Sequence, residues 1–367
     1  MKNISVLALS AMTTIGAIPF SAYAAPVSHM HANGITAHNI MVMQHSALLG
    51  AFDNFNGSMA MSLGKSNVST TTNSQQEPEP QKQSPDRYGT MPIYGEYGDD
   101  GTVFNKGRSG GEFSPIDSNW VDWQHTKDST KFDKFSDFDS RHDIISFGFA
   151  GGYNQMDSGY SQWGAFGGLA LAHEDSDNVD IDERGGYIGL YSGYHMHGFN
   201  VSVAGDFGAM FSSAKSDFGT DDFTNIWLGG ALDASYNIIL DDTFTLQPGI
   251  YLGYMWIKSD SYESKSGADI KNGDFNMIEL SPSLRAIKHI VGDWYGAMSV
   301  RYVFNFASGG DTTVANAKLP ELELEDYTEY GISLERNIDR FNISAMLNRR
   351  DGGRTGWTGE LRLRYVF

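Results

Sequence analysis

From Asn119 to its end, the chain repeats one pattern. Stretches of about ten residues alternate apolar and polar side chains, and turn residues separate them. Twelve such stretches begin near Asn119, Asp143, Gln162, Gly186, Phe199, Asn225, Phe244, Phe275, Trp294, Thr328, Phe341 and Gly356. A period of two places alternate side chains on opposite faces of a strand. In the stretch from Phe244, one face carries Phe244, Leu246, Ile250, Leu252, Tyr254 and Trp256. The other carries Thr245, Gln247, Gly249, Tyr251 and Gly253. Wherever a strand core holds a charge, the charge falls on the polar face. An even number of such segments predicts an all-β fold, a 12-stranded antiparallel transmembrane β-barrel preceded by a short amino-terminal helix and linker.

The charged face is expected to be the lumen, because an Arg turned to lipid costs about 2–4 kcal/mol near the bilayer midplane. The lumen-facing charges are then Asp206, Asp233, Glu279, Arg285, Arg301, Glu329, Glu335, Arg350, Glu360, Arg362 and Arg364. Aromatics at strand ends (Trp256, Trp294, Phe306, Trp357 and Tyr365) suit the girdles at the two membrane interfaces. The connections read as alternating in length. "KDSTKFDKFSDFDSRH", "HEDSDNVDIDER", "SSAKSDFGTDDF", "KSDSYESKSGADIKNGD" and "ASGGDTTVANAKLPELELEDY" read as long; "QMDSGYS", "MHG", "LDD", "VGD" and "NIDR" read as short. Long loops outside and tight turns in the periplasm give that parity, and it puts both ends of the strand series on the periplasmic side.

The amino-terminal residues fit this destination. Lys2, an apolar run from Ile4 to Phe20 broken by Pro19, and the small-x-small site Ala22-Tyr23-Ala24 have the layout of a secretory signal peptide over residues 1–24, with cleavage at Ala22 and Ala24. No later stretch has the roughly 20 apolar residues of a membrane helix. The chain contains no cysteine, so an exported fold must do without disulfides. It is rich in aromatics and glycine (Tyr 18, Phe 22, Trp 7, Gly 42) with a net charge of −19, which argues against a nucleic-acid partner. Residues 25–64 hold one possible helix, with Met41, His45, Leu48, Phe52 and Phe55 at spacings of three and four. Residues 65–117 are rich in Pro, Gln, Ser, Gly and Asp without a period and read as a low-complexity linker. The barrel occupies 118–367.

No motif for an enzyme, cofactor or metal stands out. Asp175, Asp177, Asp180 and Asp182 have chelating spacings, yet the run lacks the turn glycine of a calcium loop and reads as an acidic external loop. His195 and His197 read as a polar turn without a third ligand. His142-Asp143, His173-Glu174 and His289 are adjacent acid–base residues without a nucleophile signature. The glycines of "GFAGG" read as relief of crowding in strands, and Ser46 as a structural residue of the helix.

Against this background the last 250 or so residues resemble the translocator domain of Gram-negative autotransporters, the type V secretion barrels. The "WVDWQ" opening strand, the "LQPGIYLGYMW" strand, the glycine–aromatic spacing of "NWVDW…GFAGGY" and the "GWTGELRLRYVF" ending carry the likeness. The resemblance implies twelve strands, a helix threaded through the pore and a secreted passenger. It also implies a carboxyl-terminal assembly signal at Leu361, Leu363, Tyr365 and Phe367. Only about 90 residues separate the signal segment from the first strand, leaving room for a short passenger alone. The expected partners are outer-membrane lipid and lipopolysaccharide, the barrel-assembly machinery and periplasmic chaperones, with the barrel a monomer. The expected role is translocation or display of the amino-terminal segment and acidic loops; a surface adhesin and a passive small-solute pore are the alternatives.

Overall fold

The structure, a computed structural model, describes residues 36–37, 40–45, 47–52, 118–131, 138–156, 159–176, 179–196, 198–217, 219–265, 267–314, 317–318 and 323–366. The signal segment with Ala22 and Ala24, the linker at 65–117 and Phe367 lie outside the described residues.

Twelve antiparallel strands close on themselves. They are β1 (Ser118–Thr130), β2 (Phe138–Met156), β3 (Gly159–Ser176), β4 (Val179–Met196), β5 (Phe199–Ser216), β6 (Gly219–Tyr236), β7 (Phe244–Ser259), β8 (Phe275–Val291), β9 (Trp294–Gly309), β10 (Tyr327–Ile338), β11 (Phe341–Gly352) and β12 (Arg354–Val366). Each pairs with its sequence neighbours, and β12 pairs with β1 from Ser118↔Val366 to Thr130↔Arg354. Closure removes both sheet edges, so every strand has two hydrogen-bonded partners and no backbone ladder is left open to lipid.

Alternation sets the two walls. In β3 and β4, Trp163, Leu169, Leu171, Ile188 and Leu190 are all at least half exposed on the outside. In β12, Leu361 and Leu363 are exposed while Thr358, Arg362 and Arg364 are buried. A continuous apolar outer band around a polar, occupied interior inverts the plan of a water-soluble domain and suits a bilayer as solvent.

The strands differ in reach. β2 to β6 have 18 or 19 residues, whereas β10 and β11 have 12. At about 3.3 Å per residue these are about 60 Å and 40 Å. The shorter set already suffices to cross the hydrocarbon layer when tilted. The longer set continues past the apolar band at the end opposite the described start of β1, here the far end.

This corrects the expected loop pattern. "HEDSDNVDIDER" and "SSAKSDFGTDDF" are strand ends rather than loops, since β3 runs to Ser176, β4 starts at Val179, β5 runs to Ser216 and β6 starts at Gly219. Beyond the lipid a strand tolerates outward Asp, His and Arg, so the polar composition that reads as loop belongs to solvated hairpin. The connection after β7 and the one after β9 are long, but part of each folds into a small four-stranded sheet of Tyr262–Glu263, Asp269–Asn272, Thr312–Val314 and Ala317–Lys318. Tyr262 stacks on the inward-facing Phe223 at 5.4 Å, and Ile270 and Val314 are fully buried. Asp221 clamps this cap, accepting from Ser264 Oγ at 2.9 Å and the Lys265 backbone N–H at 2.8 Å. Burial, together with the Asp221 carboxylate, raises the Tyr262 phenol above its ordinary range.

Candidate functional site: the occupied lumen

The described residues between 36 and 52 are helical and lie inside the barrel, with Ile40, Leu48 and Ala51 fully buried. The contacts move down the strands as the helix advances. Gln44 donates to Asp206 Oδ1 at 2.9 Å and lies 3.5 Å from the Tyr254 carbonyl. His45 Nδ1 is 3.0 Å from Glu279 Oε1, and its ring meets Tyr251 edge-on at 4.9 Å. Gly50 faces Asp122 and Arg362, toward the end where β1 begins. The amino end of the helix therefore points to the far end and its carboxyl end to the β1 side.

The wall it meets over β1 to β6 is built of aromatic rings laid over glycines. Trp120 covers Gly148, Tyr191 covers Gly164, Tyr187 covers Gly168, Phe166 covers Gly189 and Trp227 covers Gly208. Each pair joins neighbouring strands: a Cβ on the glycine would collide with the ring, so the missing side chain is what lets the ring lie flat on the wall. The rings' polar tips are used. Tyr187 Oη is 2.6 Å from Ser146 Oγ, and Trp227 Nε1 donates to Asp206 Oδ2 at 2.8 Å. Asp206 thus sits with a donor from the wall and a donor from the helix. The apolar helix residues Ile40, Met41, Met43, Leu48 and Phe52 share one buried cluster with these rings.

Over β8 to β12 the lumen is ionic. Glu329 accepts from Arg301 and lies 2.9 Å from Arg350 Nε. Arg350 Nη1 reaches Asp128 Oδ1 at 2.9 Å, and Arg354 also pairs with Asp128, whose carboxylate is wholly buried. Asp128 belongs to β1 and its two arginines to β11 and β12, so the network spans the closing seam. A second pair, Arg362 to Asp122 at 3.6 Å, spans it again lower down, and Arg362 also binds Glu360 at 2.7 Å. Glu335 accepts from Asn342 at 2.7 Å. Between helix and ionic wall lies a cavity of about 170 Å³, with Asp233, Gln247, Arg285, Ser299 and Asn348 in its lining.

All eleven charges singled out from the sequence are accordingly on the inner parity. Glu279, Glu329, Glu335, Asp206, Arg350, Arg362 and Arg364 are buried, while Asp233, Arg285, Arg301 and Glu360 are partly exposed to the cavity side. Leu361 and Leu363 face outward, and Tyr365 packs on Phe341 at 5.0 Å. Sequence reasoning missed Asp122, Asp128 and Arg354. The signal was present, since Asp122 and Asp128 share the parity of Trp120 in the first strand.

The acid–base neighbours are pulled apart by the same alternation. His142 is buried inside while Asp143 is outside, paired with His125 at 2.9 Å. Glu174 is inside and His173 outside, 2.8 Å from Asp182. His289 bonds the Gly292 carbonyl at 2.7 Å. His195 is not in a turn: it lies in β4, buried, and bonds Asn200. Asp175 and Asp180 face each other across β3 and β4 rather than converging in a loop. Among the described residues no group of three His, Cys, Asp or Glu side chains is placed to hold a metal ion.

A closed twelve-strand barrel with an apolar outer band, a polar lumen and a helix inside it is an integral outer-membrane barrel of the Gram-negative kind. Residues 120–359 match the family model described as the autotransporter beta-domain, and the chain belongs to that family. Among solved structures it is similar to the transport unit of the autotransporter AIDA-I from Escherichia coli, with 16% identity over 68% of this chain and 90% of that one and a TM-score of 0.61. It is also similar to the translocator domain of NalP from Neisseria meningitidis, with 10% identity over 70% and 90% and a TM-score of 0.58. The beta domain of Bordetella BrkA matches at 14% identity over 69% and 100%, with a TM-score of 0.57. No curated protein sequence matches the chain.

Proposed function

We propose that this barrel carries its own amino-terminal segment across the outer membrane and then keeps the helix at 36–52 as the plug of the pore. The single observation that carries this reading is the threaded helix. Its contacts with Asp206, Glu279 and Tyr251 are specific, and a passive pore has no use for a buried apolar segment in its channel. The similar AIDA-I structure is of a transport unit and the NalP structure of a translocator domain, which supports the reading. The helix direction refines it. The amino end of the helix points to the far end, taken as the cell surface, so residues 25–35 are assigned to the outside and residues 53–117 to the periplasm. The displayed portion is then 25–35 together with the cap and hairpin tips, rather than the whole of 25–117. On this reading the wall does no chemistry. The carboxyl-terminal Leu361, Leu363, Tyr365 and Phe367 serve the assembly machinery, to which periplasmic chaperones deliver the chain, and the closed barrel works as a monomer.

The absence of cysteine makes a clean test. Single cysteines placed at 28–34 and at 70–110 are treated on intact cells with a membrane-impermeant maleimide. The first set is expected to label on intact cells and the second only after the outer membrane is permeabilised. Protection of both sets on intact cells ends the translocation reading. Labelling of the second set alone keeps translocation but overturns the stated direction of the helix, and labelling of both sets on intact cells overturns the retained plug.

A further inference from the structure

On the outer wall the apolar band of β2 to β6 stops at one height, which the strand registers define. Asp143, Leu171, Arg184, Phe211 and Thr224 lie directly across from one another in successive strands. Below this row the outward residues are apolar, with Ile145, Leu169, Ile188, Phe207 and Leu228 all half-exposed or more. One pleat above it the row is Arg141, His173, Asp182, Ser213 and Asp222, continued into β1 by Lys127. The two rows form a groove of about 940 Å³ across the outside of the wall, ending at Asp260 and Ser261.

The charges in this groove are not all matched. His125 is paired with Asp143, His173 with Asp182, and Asp222 accepts from Ser213 at 2.8 Å. Lys127, Arg141 and Arg184 make no ion pair with any described residue. Arg141 and Lys127 are directly opposite across β1 and β2. Arg184 stands two strands and one pleat away, about 12 Å from Arg141 by strand spacing and rise. Between them Leu171 is 62% exposed, and on the next strand beyond Arg184 Phe211 is 56% exposed, both continuous with the apolar band. Arg141 stands one pleat above Leu171 and Arg184 level with it, and neither makes an ion pair with a described residue. Both adjoin uncovered aliphatic and aromatic surface at the edge of the apolar band, which complements an amphiphile with two separated phosphates and several acyl chains.

We infer that this groove is a binding site for the phosphorylated headgroup of an outer-leaflet glycolipid of the lipid A class. Arg141 with Lys127 takes one phosphate and Arg184 the other, and the acyl chains lie over Leu171, Phe211, Leu169 and Ile188. The choice of a glycolipid over a glycerophospholipid rests on the two cationic points being separated across three strands with a wide apolar floor. It also rests on the reading above that the far end faces the cell surface. The site gives a single barrel a fixed lipid on one side and leaves the shorter β10 to β12 side without one.

The test uses the full chain refolded in an uncharged detergent. Binding is titrated by native mass spectrometry with bisphosphorylated hexa-acyl lipid A, its dephosphorylated form and phosphatidylglycerol. The wild type is expected to bind the bisphosphorylated lipid at least about tenfold more tightly than either other lipid, as charge-assisted contacts to phosphate require. The variant R141Q/R184Q is expected to lose that preference, whereas R349Q is expected to keep it. Arg349 is an outward arginine over Trp357 on β11, and both variants leave the lumen intact. Heat-modifiable migration on gels confirms that each is folded. Equal binding of the three lipids, or an unchanged preference in R141Q/R184Q, overturns the site. Equal binding of phosphatidylglycerol and bisphosphorylated lipid A, both abolished in R141Q/R184Q, overturns the glycolipid assignment. Because this measurement is made in detergent, it is independent of orientation, and the maleimide experiment alone decides which way the barrel faces.

Discussion

The two sides of the barrel wall solve the problem of a filled lumen by different means. Over β1 to β6 the inner surface is made of rings on glycines and receives the apolar face of the helix. Over β8 to β12, with Asp122 and Asp128 of β1, it carries carboxylates and guanidinium groups that pair with one another and border a cavity. The difference follows from what each side must hold. A plug segment with Ile40, Met43, Leu48 and Phe52 needs an apolar bed, and flattened rings provide one without enlarging the wall. The closing seam joins strands far apart in sequence, and there directional ion pairs fix the register. A one-residue slip would turn Arg350, Arg362 and Arg364 outward into lipid.

The outside of the barrel shows the same division. The glycine–aromatic side carries the long hairpins and the groove, while on the ionic side β10 to β12 end near the membrane with strands of 12 and 13 residues. Trp294 and Trp357 on the ionic side lie under Arg336 and Arg349 at 5.1 and 4.9 Å. Such pairs hold an interfacial ring and keep a cation beside the headgroups.

The largest effect is expected at the seam. Asp128→Ala removes the carboxylate shared by Arg350 and Arg354 and leaves two buried guanidinium groups, one of them still paired to Glu329. Breaking a buried pair from one side costs about 3–5 kcal/mol. Urea unfolding of the refolded barrel in lipid vesicles measures this, and loss of heat-modifiable migration gives the coarse readout. A change under about 1 kcal/mol, the range of exposed pairs, means that the backbone ladder of β1 and β12 closes the barrel unaided.

Much of this plan is legible in the sequence because a barrel writes itself in period two. Parity alone assigned Leu361, Leu363, Arg362 and Arg364 to their sides. Strand ends were less legible: Asp180, Asp182 and His173 have loop composition, but past the lipid the ladder of β3 and β4 continues because water accepts their side chains. Partners across the seam were not legible at all, since Asp128 and Arg350 are separated by 222 residues and meet only through closure. The adjacency of His142 and Asp143 carries no site for a related reason, because neighbours in a strand point away from each other. The helix was visible as a ragged stripe, but nothing in it named Asp206 or Glu279 as its contacts.

The next test breaks the glycine–aromatic side. A Cβ at Gly208 would overlap the Trp227 ring. Gly208→Val is therefore expected to push the indole from its place and from Asp206, at about 1–3 kcal/mol for overpacking a well-filled site. Unfolding in urea gives the size, and Trp227→Leu added to Gly208→Val is expected to restore part of it. If the double variant is no better than the single one, the ring is not what the valine displaces.

The helix contact itself is expected to be weaker. Gln44→Ala removes one donor from Asp206 but leaves the Trp227 N–H in place. A net hydrogen bond of this kind contributes about 0.5–1.5 kcal/mol. A double-mutant cycle of Gln44→Ala with Asp206→Ala, which removes the acceptor, isolates it from the packing of Ile40 and Leu48. A coupling of zero assigns helix retention to apolar packing alone.

The smallest effect separates the two kinds of glycine. Gly359 lies in β12, on the outward parity between Trp357 and Leu361, and a Cβ built there meets nothing within 4 Å. Glycines such as Gly208 owe their identity to a ring lying on them, whereas Gly359 has no such neighbour. Gly359→Ala is therefore expected to leave stability within about 0.5 kcal/mol of the wild type, as for surface positions without a special role. The urea midpoint in vesicles measures the difference. A loss as large as that of Gly208→Val removes the distinction, because the cost would then arise in the strand backbone and not in the wall's aromatic lining.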